Sequence, residues 1–187
     1  MGHRSGALAI VTLGLLLAGA APLVAQRKSS SPNDIQLADL RAMKDKFVGL
    51  AGAFPADKYD WRPMEGVRSV KDVLVLLTNE GNLFPTQWGA PAALGVLSDR
   101  KAEEARLQAL DKAALTAELG RAFDNMIGFV AGMDEAKHAT EIRFFGQTVQ
   151  VGAAVMMASG DMHEHLGQLI AYARSNRIVP PWSRPPA

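Results

Sequence analysis

Apolar side chains recur every three to five positions in four separate stretches of this chain, and that spacing commits it to helices. Ile35, Leu40, Met43, Phe47, Leu50 and Phe54 form the first series. Val73, Leu74, Leu76 and Leu77 form the second; Leu115, Leu119, Phe123, Met126, Ile127 and Val130 form the third; the segment from Gln150 to Ser175 carries the fourth. A period near 3.6 places such residues on one helix face, and a one-faced helix is stable only when that face is buried against neighbours. Four such helices with one long crossover connection predict an all-α four-helix bundle. At 187 residues and 48% hydrophobic content, the chain is long enough to bury one real core.

The punctuation agrees. Asn33 or Asp34 can cap the first helix, and Pro55 stops it. Residues 55–68, with two prolines, a glycine and clustered charge, read as a loop. Ser69 followed by Asp72 is a capping pair for the second helix, which Gly81 and Pro85 weaken or kink. Residues 85–99 read as a connection, 101–110 as a short helix, and Asp111 as the cap of the third long helix. The stretch 141–150 (EIRFFGQTVQ) has strand-like composition around Gly146, fitting a brief hairpin or an extended crossing. Four prolines in the tail 178–187 predict an extended exit over the surface.

The first 25 residues stand apart. Arg4 precedes the apolar run Ala7–Ala18, small residues follow, and no acid occurs before Asp34. That is the layout of a secretory signal. Gly6–Ala25 also reaches the ~20 residues of a spanning helix, but Pro22 and the clustered small residues favour removal over a retained anchor. The expected organisation is therefore a signal peptide at 1–25, a flexible lead at 26–32 and one domain at 33–183, exported to the periplasm or secreted. The mature chain is then about neutral, which argues against a nucleic-acid partner. After cleavage no apolar run is long enough to hold the chain in a membrane.

Several chemistries are excluded by absence. There is no cysteine, hence no disulfide scaffold and no thiolate metal site. No Gly-x-Ser-x-Gly elbow and no phosphate-binding glycine loop occurs. The densest polar cluster is 160–168 (GDMHEHLGQ) in the last helix. Asp161 and His165 are four apart and share a face, with Glu164 and Gln168 beside them, whereas His163 points the other way. A carboxylate and an imidazole so placed can hold one divalent ion if a facing helix adds a ligand, and Glu80 or Asn79 of the second helix is the candidate. A solvated charged face is the bland alternative. The methionines near apolar positions (Met126, Met133, Met156, Met157, Met162) read as core filler. Trp61, Trp88 and Trp182 read as covers for the bundle ends.

Two segments carry a family resemblance. Asp60-Trp61-Arg62-Pro63 followed by Gly66-Val67-Arg68-Ser69 resembles the loop that enters the second helix of DinB-like proteins. His165 through Arg174, then Asn176 and Val179-Pro180-Pro181, resembles that family's last helix and proline-rich exit. The match in order and spacing spans roughly residues 33–183. It implies a DinB-like four-helix bundle that is often a homodimer. Many relatives hold a divalent metal with three histidines, and some are thiol-dependent S-transferases, including bacillithiol transferases, or isomerases. Carried over, the final histidine falls on His165, its partner on Asp161, and the second-helix histidine on Leu77, which cannot ligate. The expected site is thus degenerate, with His165 and Asp161 as metal ligands and either no cofactor or a divalent ion such as zinc or nickel. Gln168 and Arg174 are expected to tie the last helix to its neighbours.

The function so implied is an exported binding or interaction module of unproven activity, with a small ligand held between the second and last helices. The alternative is a divalent-metal-dependent S-transferase-like enzyme using His165 and Asp161. No residue is singled out as catalytic.

Overall fold

The computed structural model describes residues 31–184, and before them Gly2 alone. The expected signal peptide and residues 26–30 of the lead lie outside that range. Helices α1 (Pro32–Ala53), α2 (Val70–Gln87), α4 (Lys112–Ala131) and α6 (Val151–Ser175) form the bundle. The short α3 (Arg100–Gln108) lies in the long α2–α4 connection, and α5 (Glu135–His138) with a hairpin of β1 (Glu141–Phe144) and β2 (Gln147–Gln150) joins α4 to α6. Both α4 and α6 pack against both α1 and α2, so going round the bundle the order is α1, α4, α2, α6. The seam between α2 and α6 follows from that order.

Helix starts are set by side chains that satisfy the free N–H groups of the first turn. Ser31 and Asp34 form a reciprocal capping box with Pro32 at the first helical position, so α1 begins two to three residues before the Asn33 or Asp34 cap read from sequence. Ser69 and Asp72 do the same for α2, as the sequence predicts. Asp111 caps α4 by accepting from Ala114 N at 2.8 Å.

α2 passes through Gly81 and Pro85, the positions expected to weaken or kink it, and runs on to Gln87, into the stretch read as a connection. Pro85 has no N–H to give the carbonyl four residues back. That carbonyl belongs to Gly81, and Asn125 Nδ2 of α4 donates to it at 3.4 Å. Gly81 itself is a packing residue: a Cβ there would lie 2.9 Å from the Ala122 Cβ and 3.1 Å from its carbonyl carbon. Its lack of a side chain is what lets α2 and α4 approach.

The core is continuous, running from Leu40, Phe47 and Leu50 through Val73, Leu74 and Leu77 to Leu119, Phe123, Val155 and Leu169. At one end, Trp88, Phe84, Phe129 and Phe144 pack ring against ring. The hairpin is thereby pinned over the C-terminal end of α2. Its two-residue turn, Phe145-Gly146, has φ of 44° and 78°, the left-handed pair that matches strand twist. Of the three tryptophans, Trp88 is fully buried, Trp61 stands edge-on to Tyr172 at 5.3 Å, and Trp182 lies in a surface turn. Met126 and Met162 fill the core as expected, but Met156 is 65% exposed. Among the described residues no helix is long and apolar enough to cross a membrane.

Candidate metal centre

The α2–α6 seam carries one cluster of ligating groups. Glu80 from α2 and Asp161 and His165 from α6 each offer an atom, all within 4.8 Å of one another. His165 Nε2 lies 3.9 Å from Asp161 Oδ2, with the two side chains 15% and 32% exposed. The structure thus brings the two ligands read from α6 together and adds the carboxylate named as their facing candidate. Asn79 lines the adjoining cavity. His163 is elsewhere, bonded to Asp39 of α1 at 2.9 Å, and Glu164 is exposed. Leu77, where the resemblance places a histidine, is buried in the core. The α2 donor comes from one turn further along.

The imidazole is held in a single tautomer by a relay. Tyr172 donates its only hydroxyl proton to the Arg68 carbonyl at 3.0 Å. Its oxygen must therefore accept from Gln168, whose Nε2 lies 2.8 Å away. That turns Gln168 Oε1 toward His165 Nδ1 at 3.0 Å, so Nδ1 carries the hydrogen. Nε2 is the ring nitrogen left without a hydrogen bond, on the side of the two carboxylates. Ordering of a ligating histidine through its other ring nitrogen is a general feature of protein metal sites. Gln168 bonds only within α6, to His165 and Tyr172, so the tie to a neighbouring segment expected of it is made instead by Tyr172, which the sequence reading passed over and which completes the relay. Arg174 is exposed and makes no side-chain hydrogen bond or ion pair within the described residues, so its expected tying role is not found.

Two carboxyl groups face one another in this seam. Burial, with the Asp161 carboxylate beside it, pushes Glu80 up to about 8 against the opposing pull of Arg100 and Arg68. Glu80 Oε2 and Asp161 Oδ2 are both buried without a hydrogen-bond partner. Orphaned buried carboxylate oxygens are costly; the proton that Glu80 keeps lets it hydrogen-bond Asp161, and a divalent cation in place of that proton would satisfy both. The donor set fits such an ion: two carboxylate oxygens and one imidazole nitrogen are three good ligands, the number after which catalytic sites keep a position open.

One cavity adjoins the cluster at Glu80, and a second lies beside the first. One, of about 190 Å³, is lined by Asn79, Glu80, Leu83, Phe84, Gln87, Arg100 and Phe145. The other, of about 260 Å³, shares Asn79 and Arg100 with it and adds Arg68, Asp72, Leu76 and Glu104.

Comparison with known proteins agrees with this architecture. A DinB-like protein from Bacillus subtilis superposes with a TM-score of 0.60 at 18% identity, covering 78% of this chain and 93% of that one. The mycothiol-dependent maleylpyruvate isomerase superposes at 0.59 with 16% identity, and a mutant form of it at 0.62 with 14%. Each of these two alignments covers 74% of this chain, which spans 61% of the isomerase's length. No curated protein matches by sequence. The family model of the DinB superfamily matches residues 39–169, a segment that contains the first resembling loop, α2, all three candidate ligands and the start of the second resembling segment. This chain belongs to the DinB superfamily.

Proposed function

We propose that this domain binds a divalent metal ion through Glu80, Asp161 and His165 and uses the open side of that site to hold a small ligand. The observation that supports it is the pair of buried, unpartnered carboxylate oxygens facing a histidine whose Nε2 is left free by the Gln168–Tyr172 relay. The ion, when held, supplies a Lewis acid; the chain's own residues supply its orientation and the walls around it. Export as a cleaved protein and assembly as a homodimer belong to the same proposal.

The second reading is a metal-dependent, thiol-using enzyme. Its support is the same three-donor cluster together with the fold likeness to a mycothiol-dependent isomerase. Elemental analysis of protein purified without a histidine tag is the test. Near-stoichiometric zinc, nickel, manganese or iron in the wild type, lost in both Asp161→Asn and His165→Ala, is the expected result. Protein that stays metal-free after incubation with each ion, with melting unchanged by EDTA, would overturn the metal site. Turnover of a thiol with an electrophilic partner would then separate the second reading from the first.

A further inference from the structure

Resting on the metal site just proposed, we infer that the cavity beside Glu80 receives a small organic anion carrying an apolar group. The acid head is held between Arg100 and the open side of the triad, and the apolar group lies on Phe84 and Phe145.

Three independent features lead there. The first is charge. Glu80 and Asp161 bring two negative charges to the triad, which one divalent ion cancels. Arg68 and Arg100 both act on Glu80 electrostatically, and neither forms an ion pair with an acid of the described residues. Asp72 is already engaged by Arg62, Ser69 and Gln108, which leaves exposed Glu104 as the one counter-charge on the outer rim. The loaded site therefore has a positive excess, in a recess where a carboxylate can reach a guanidinium.

The second is the wall. The inner cavity is lined on one side by Leu83, Phe84 and Phe145. Phe145 is 52% exposed and stands edge-on to Phe84 at 5.7 Å. Half-exposed aromatic surface over a polar floor is the composition of a small-molecule site.

The third is backbone. Phe145 occupies a turn position with φ of 44°, where asparagine, aspartate or glycine is the comfortable choice. A bulky side chain held there against its preference points from conformation to function. The strained turn is what carries the ring to the cavity mouth.

The cavity, about 190 Å³, suits a ligand of one ring or a short chain. Benzoate is the probe, with benzamide as its neutral isostere and acetate as the head without the ring. Calorimetric titration of zinc-loaded wild type should give benzoate at least tenfold tighter binding than either. Arg100→Gln should abolish the preference over benzamide, and Phe145→Asn the preference over acetate, with zinc uptake and melting retained in both variants. Zinc-loaded protein that holds benzoate and benzamide equally would overturn the inference while leaving the metal site standing. Protein that takes up no zinc, yet binds benzoate with the same dependence on Arg100 and Phe145, would support the inference and sink the metal reading. Failure to bind either would sink both.

Discussion

Replacing Glu80 with glutamine removes one ionisable proton from the α2–α6 seam and almost nothing else, and its effect on stability should change with pH. In the folded chain this carboxyl sits at about 8 against an ordinary 4.5. At about 1.36 kcal/mol per unit that difference sets a ceiling near 5 kcal/mol. Water reaches part of the group and the seam can relax, so about 1–2 kcal/mol is the realistic effect. Below pH 4.5 the folded and unfolded chains both hold the proton, and burial of the neutral acid costs little. As pH rises toward 8 the unfolded chain releases its proton while the folded chain keeps it, so stability falls across that window and levels off above it. Glu80→Gln has nothing to titrate. In EDTA, the melting temperature of the variant relative to wild type should therefore rise by roughly 2–8 °C between pH 5 and pH 8.5, taking about 2–4 °C per kcal/mol for a domain of this size. With excess zinc the order should reverse at pH 8, since only the wild type gains ligand-linked stability. Parallel melting profiles of the two proteins in EDTA would refute the claim that Glu80 is buried against a like charge.

Three further outcomes follow from the same geometry. Gln168→Leu leaves the three ligands in place but frees the imidazole to rotate and change tautomer, so metal affinity by competition titration should fall about 10–100-fold with the helical spectrum unchanged. Gly81→Ala forces a methyl against Ala122, where backbone as well as side chain is in the way; it should cost about 1–3 kcal/mol in chemical denaturation, although alanine is the better helix former. Arg174→Ala should change stability by no more than about 0.5 kcal/mol, because the exposed side chain has no ionic partner within the described residues.

Much of the bundle could be read from local pattern, because helix periodicity and caps are written within a few residues of one another. Ser69 with Asp72, and Asp111, were visible for that reason. Gly81 and Pro85 were not, since the rescue of the Gly81 carbonyl comes from Asn125, 44 positions away. The site divides in the same way. Asp161 and His165 share a face of one helix, and four-residue spacing reveals it. That Glu80 should oppose them depends on the rotation of α2, which periodicity leaves open to a turn either way. The resemblance pointed to Leu77, three positions earlier and buried. Gln168 looked structural, but its task depends on Tyr172 and on a main-chain oxygen 104 residues distant. No spacing rule reaches that far.

The donor set also bears on which functional reading the site favours. A site of three neutral imidazoles would leave a divalent ion with its full charge and strong power to acidify bound water. Here Asp161 stands where the resemblance expects an imidazole, and Glu80 supplies a second carboxylate. Two anionic donors neutralise the ion, so its pull on a bound water's proton is weaker than among imidazoles alone. The positive charge lies instead on Arg68 and Arg100, both of which act on Glu80 electrostatically, where it can attract and orient an anion without acidifying a bound water. Oxygen donors also move the preference toward harder ions than a three-histidine site would, although zinc still outranks manganese in intrinsic affinity. A centre with its charge displaced onto guanidinium groups, an aromatic wall and a strained turn carrying Phe145 to the rim is better suited to holding a small acid than to generating a hydroxide. On those physical grounds ligand binding is the primary reading and thiol-dependent transfer the second.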